Sequence, residues 1–366
     1  MLTTPPTLPD AIAAATKDDP RADYQTLSVQ GMVFDQERRC WVAAANAIVR
    51  SALHCPALMV RPPHEPVPAA LSATVAGEIF ARLVRMNDGP VHLALKTAVQ
   101  QALDSIPQAT VYQASRDIAG WFALPQPLDG ASLTRFNDGL PILVLAKLFG
   151  IAAPHWAELI DDVLAFVRCV APGGSAEEIS VGMAAAARLS SRMQCQLDAP
   201  GPLLQALCQA MAKQDLPDTA RQWTVANAIG LWFQAAEGTT GLIGQGLLQG
   251  QAGGWQGSAA AWISHVLGDL PPIQNTRRFA SCPISLAGYA LQAGDPVLLL
   301  LAGPAADAAQ NLAFGAGAHA CPGATWARLI AMTGIEHLLA HGLSDQPLPR
   351  HTWRRSANVR LPEFTA

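Results

Sequence analysis

One short segment of this chain gathers groups able to do chemistry: Phe314-Gly315-Ala316-Gly317-Ala318-His319-Ala320-Cys321-Pro322-Gly323, followed at once by an apolar stretch with Arg328 in its first turns. A thiolate is a nucleophile and a soft metal ligand, and it is favoured where backbone N–H groups and the positive end of a helix dipole face the sulfur. The glycines suit that placement, because they let the backbone turn its amides toward a sulfur and lie close against a flat ligand. Two other sets of side chains could act with such a centre. His92 and Lys96, at i and i+4, share one helical face and can grip an anion. Ala235-Ala236-Glu237-Gly238-Thr239-Thr240 joins small residues, an acid and two hydroxyls inside a long apolar run. Taken alone, that Thr-Thr pair could equally bond its own helix carbonyls.

The cysteine segment resembles the haem-binding signature of the cytochromes P450, Phe-x-x-Gly-x-x-x-Cys-x-Gly, at Phe314, Gly317, Cys321 and Gly323. The resemblance implies that Cys321 is the axial ligand of haem b (iron protoporphyrin IX). It also implies that Phe314 lies beside the sulfur, that Gly315 and Gly317 pass close to the ring, and that His319 reaches a propionate. A thiolate ligand pushes electron density onto iron and favours O–O cleavage, which is the use a monooxygenase has for cysteine. By the same resemblance Ala235 and Ala236 leave room above the iron, and Thr239 supplies a hydroxyl that helps deliver protons to dioxygen. His92 and Lys96 stand where the family has a propionate-binding His-x-x-x-Arg, with Lys96 giving a point charge in place of a bidentate fork. The run from Pro271-Pro272-Ile273-Gln274 to Arg277 and Arg278 resembles the strand entry where an arginine meets a propionate and an apolar residue faces substrate. Arg278 is the choice there, with Arg277 the alternative.

The sequence departs from that pattern in two places. The family's Glu-x-x-Arg motif falls on His265 and Gly268, and the loop between Ala302 and Phe314 is too short to hold the arginine that completes the same buried ion network. Such networks contribute little net stability beside apolar replacements, so a haem fold without one is physically possible. The acid expected just before Thr239 is Gly238, with Glu237 one position early and about 100° around the helix. Glu237, water or a substrate group then takes the acid's part, or the chemistry needs no dioxygen activation.

The elements that must position these groups read as helices. Apolar residues recur with helical spacing over Leu71–Met86, Val91–Ser105, Val111–Ala123, Leu133–Phe149, Trp156–Val170, Glu177–Leu197 and Pro202–Lys213, with Gly, Pro and Asp between them. Thr219–Gly250 can form one helix far longer than the usual 11–12 or so residues. Ala259–Leu267 and Ala324–His341 complete the set, with strand-like pieces at Met32–Phe34, Ile284–Leu286 and Val297–Leu301. The expected fold is mainly α: a P450-like helical array with a small β-sheet in a single large domain, residues 29–366, after an N-terminal tail, residues 1–28.

Composition bounds the function. Half of the 366 residues are hydrophobic, 14% are charged and the net charge is −4, without the basic runs of a nucleic-acid binder. Seven scattered cysteines without a CxxC pair indicate neither a disulfide framework nor a zinc site. The first residues lack a signal-peptide pattern and no stretch offers about 18 uninterrupted apolar residues, so the expectation is a cytoplasmic protein with no membrane span. The leading expectation is a haem-thiolate enzyme of secondary metabolism. It would hydroxylate or oxidatively couple a small apolar or aromatic molecule, with electrons from a ferredoxin- or flavodoxin-type donor. The alternatives are a peroxide-driven or non-monooxygenase haem-thiolate enzyme, and a non-catalytic haem-binding or scaffold descendant.

Overall fold

The computed structural model describes residues 9–303 and 311–365. They form two compact units, each gathered from separate stretches of chain: one from residues up to 64, 267–320 and 353–360, the other from 65–266, 321–352 and 361 onward. Units that interleave in this way leave no boundary in the sequence, which is why a linear reading finds one domain.

The first unit is built on a sheet. It contains α1 (Arg21–Gln30), β1 (Met32–Asp35), β2 (Cys40–Ala43), α2 (Asn46–Leu53), β3 (Leu58–Met59), β4 (Asn275–Ala280), β5 (Ile284–Leu286), β6 (Tyr289–Leu291) and β7 (Pro296–Leu300). The strand order is β1-β2-β7-β4-β3, with β2 and β7 parallel. In β7, Val297 and Leu299 enter a cluster with Met32, Ala43 and Leu58, while Leu298 and Leu300 enter another with Tyr24, Leu27 and Val42. A strand covered on both faces needs no alternation, and its sequence therefore reads as a continuous apolar run.

The stretch expected as an N-terminal tail is tied down from residue 9 onward. Tyr24 and Leu27 of α1 are 1% and 2% exposed, and Tyr24 donates to Gln274 Oε1 at 2.5 Å. Arg360, 3% exposed, donates to the carbonyls of Ala15, Lys17 and Asp18 at 2.9, 2.6 and 2.7 Å. Its guanidinium lies 3.5 Å over the Trp353 ring. The tail reading missed this because the buried face of α1 amounts to two residues and its anchors lie hundreds of positions away. Residues 1–8, and most of the short loop after Ala302, fall outside the described residues.

The second unit is helical, with α3 (Val75–Arg82), α4 (Gly89–Asp104), α5 (Gln108–Ala119), α6 (Gly130–Phe149), α7 (Trp156–Val170), α8 (Ala176–Gln196), α9 (Pro202–Met211), α10 (Ala220–Ala252) and α12 (Ala324–Ala340); α11 (Ala259–Gly268) precedes the return to the sheet. The expected helix over Leu71–Met86 is shorter, because Thr74 caps α3 by accepting the Gly77 N–H and Leu83 is extended, leaving a one-turn 3-10 helix at Val84–Met86. Thr219 and Gln222 form a capping box that starts α10, which runs 33 residues.

Pro141 inside α6 has no N–H to give the carbonyl of Asn137 four residues back. The Thr240 hydroxyl of α10 donates to that carbonyl instead, at 3.0 Å, and the Trp232 indole donates to Ile142 O at 3.1 Å. The two helices are thus joined by two hydrogen bonds, one of them to the carbonyl that Pro141 frees. α12 packs equally close to α10, since a Cβ at Gly246 would come within 2.7 Å of Ile335.

Two buried groups make this fold testable. His337 stacks on Phe136 with ring centroids 5.9 Å apart, its Nε2 is buried without a partner, and its pKa is held down to about 4 by burial, then by the charges of His341 and Arg116. The folded imidazole stays neutral while the unfolded one takes up a proton near pH 6.5. Stability from this group is complete above about pH 6.5 and falls toward pH 4, by about 1–3 kcal/mol after allowance for its partial exposure. Urea unfolding at pH 7.5 and 5 should show that loss, and His337→Gln should reduce it. Arg360→Leu should cost about 2–4 kcal/mol, read by thermal melting, because three carbonyls lose a charged donor.

Candidate functional site

The cysteine segment passes from one unit to the other at the Ala320–Cys321 bond. On the sheet side, Gly315 and Gly317 take φ of +69° and +67°, and a Cβ on Gly317 would lie 2.5 Å from Leu53 O. Gly317 is therefore held to glycine by both its backbone angle and its packing. It opens the one-turn helix Gly317–His319; Phe314 and His319 are each partly accessible.

On the helical side, Cys321 stands two residues before Gly323, the N-cap of α12. Its side chain is accessible, yet burial by the surrounding protein pushes the thiol pKa up, while the Gly323 backbone N–H on the sulfur and the charge of Lys96 act the other way. The sulfur is at once open to a ligand and poorly solvated, the setting in which a counter-charge decides between thiol and thiolate. Lys96 is the matching half: burial lowers its pKa and Cys321 opposes that shift. His92, one turn earlier on α4, is 5% exposed. The structure thus brings Cys321, Gly323 and Lys96 into one electrostatic group.

The middle of α10 has an accessible side and a packed one. Leu231, Phe233, Gln234, Ala235, Glu237 and Gly238 are partly accessible, whereas Trp232, Ala236, Thr239 and Thr240 are buried. Glu237 and Thr239 are about 200° apart around the helix, so they do not form a direct pair. Glu237 is instead in electrostatic reach of Arg85, a residue that no motif in the sequence marks. Thr240 is engaged by α6, which leaves Thr239 as the hydroxyl of the pair not used in that bond.

In the sheet unit, β4 buries Arg278, at 5% exposure, and exposes Arg277. Arg278 donates to Thr276 Oγ1 at 3.1 Å and to Arg277 O at 2.8 Å. Strand alternation puts the two neighbouring arginines on opposite faces. His265 is exposed near the end of α11, and the nearby acid Asp269 pairs with Arg21 at 2.5 Å.

No family model matches the chain, and no curated protein matches it. Solved structures do. P450BioI, in complex with an acyl carrier protein ligated to hexadec-9Z-enoic acid, is 18% identical with a TM-score of 0.74, covering 96% of this chain and 98% of that one. Ligand-free CYP164A2 of Mycobacterium smegmatis is 21% identical with a TM-score of 0.73, over 97% of each chain. The ligand-free P450 monooxygenase TamI is 22% identical with a TM-score of 0.74, over 97% of this chain and 92% of its own. The chain has the cytochrome P450 fold.

Proposed function

We propose that this chain is a haem-thiolate enzyme in which Cys321 ligates the iron of haem b. It would oxidise a small organic molecule by hydroxylation or oxidative coupling, with electrons from a ferredoxin- or flavodoxin-type donor. The observation that carries the reading is the accessible Cys321 sulfur, which receives the Gly323 N–H under the charge of Lys96 at the head of α12. This donor set fits the group. Burial keeps the lone side chain a thiol, and coordination by a metal cation removes that proton. When bound, the haem supplies an iron centre able to activate dioxygen, and a thiolate ligand favours O–O cleavage.

The protein's own part is to hold and orient. His92, Lys96, Arg278 and His319 offer cationic or hydrogen-bonding groups to propionates. Phe314, Gly315, Gly317 and Gly323 shape the sulfur side, while Ala235 and Ala236 keep bulk away from the opposite side. Thr239 holds a proton donor at its hydroxyl, with Glu237 the nearest acid on α10. The accessible side of α10 suits an apolar or aromatic substrate. No described helix is long and apolar enough to cross a membrane, in keeping with a cytoplasmic enzyme, and a place in secondary metabolism completes the reading. A peroxide-driven reaction is the second reading. It is favoured by Gly238 at the acid's position and by the engagement of Glu237 with Arg85.

Protein expressed with a haem precursor should carry haem. Reduced under carbon monoxide, it should give the long-wavelength Soret band of thiolate ligation, and Cys321→Ala should abolish that band. Lys96→Met should weaken haem retention by about 10-fold, with Lys96→Arg restoring most of it. Turnover with peroxide but none with reduced donor and dioxygen would select the second reading. Folded protein that takes up no haem would overturn both.

A further inference from the structure

Arg85 lies in the one-turn helix Val84–Met86, which is fastened to α10 at several points. The Asn227 side chain accepts the Val84 N–H at 2.8 Å and donates to Arg82 O at 3.0 Å. Asn87 closes the turn from within, donating to Ala81 O at 3.0 Å and Leu83 O at 2.8 Å. Gly230 of α10 admits Leu83, whose side chain would stand 2.8 Å from any Cβ there. The guanidinium is set 5.2 Å over the Phe233 ring. Phe233 in turn meets Phe166 of α7 with ring centroids 6.0 Å apart, and Glu237 follows Phe233 by one turn on the same helical face.

This arginine is placed at some energetic cost. Its residue surface is exposed, yet burial by surrounding protein lowers its pKa, with Glu237 opposing the shift. A group that is both accessible and desolvated faces a recess rather than bulk water. Among the described residues no hydrogen bond or ion pair occupies its five N–H donors. A desolvated guanidinium without acceptors is destabilising for the fold alone, so packing gives no reason for it. Its planar fork matches a carboxylate or phosphate, and the aromatic rings beside it suit an apolar body.

We propose that Arg85, held over Phe233, is the recognition point for an anionic group on the substrate, so that the substrate class is an organic acid or phosphate ester with an aromatic or apolar body. The proposal deepens the enzymatic reading above, and it rests on α3, α7 and α10 rather than on Cys321. Glu237 lies in electrostatic reach of the guanidinium, and its own negative charge disfavours anions that miss the fork.

The test is calorimetric titration of the full chain, with and without haem, using phenylacetate, phenylpropionate, phenylbutyrate and phenyl phosphate, each against its neutral amide or methylated counterpart. At least one anion should bind roughly 10- to 100-fold more tightly than its neutral partner. Arg85→Gln should erase that preference and Arg85→Lys should keep part of it. Arg85→Leu should melt no lower than the wild type, because the side chain serves a ligand and not the fold. Equal binding of every anion and its neutral partner, or a preference that survives in Arg85→Gln, would overturn the proposal. Anion preference in a chain that takes up no haem would leave this site standing while the haem reading fails.

Discussion

The Cys321 sulfur is accessible yet crowded by protein, so it cannot rely on water alone to stabilise a charge. It needs a fixed field, and in this chain the field comes from the Gly323 N–H and from Lys96. Much of the helical unit follows from that need. The peptide N–H is aimed by the start of α12, α12 is fixed by close packing on α10, and α10 is fixed to α6 through the carbonyl that Pro141 leaves without a donor. A displacement anywhere along this path would move the N–H that faces the Cys321 sulfur.

Buried cations in the sheet unit use backbone and hydroxyl acceptors. Arg360 donates to three backbone carbonyls and lies over an indole, and Arg278 donates to a hydroxyl and a carbonyl. Burial lowers the pKa of Arg360 to about 10, so it remains charged at neutral pH. Partial charges on carbonyls can support a buried cation when every donor is used, and they avoid the desolvation of a second ion.

The sequence was informative where function or burial depends on neighbours along the chain. The cysteine segment stands out in the sequence because its residues lie within ten positions, and the positive φ of Gly315 and Gly317 is a local reason for glycine there. α7 runs over the same residues, Trp156–Val170, that the helical spacing predicts, and Val297–Leu301 shows as a strand because both of its faces are covered. What depends on distant partners was hidden. Val84 is fixed by Asn227, 143 positions on, so the turn that presents Arg85 looks like the end of a longer helix. Nothing within Thr239-Thr240 says which hydroxyl is used, since that is settled by a proline about a hundred positions earlier. The helix at Arg21–Gln30 reads as tail because its burial depends on Gln274.

A haem-thiolate enzyme of this chain requires a bond between the Cys321 sulfur and iron. X-ray absorption at the iron edge of haem-loaded protein measures that bond directly. One sulfur is expected in the first coordination shell of the wild type and none in Cys321→Ala, with haem still bound in the variant through its remaining contacts. A wild-type shell of nitrogen and oxygen alone, or a sulfur that persists in Cys321→Ala, would contradict it.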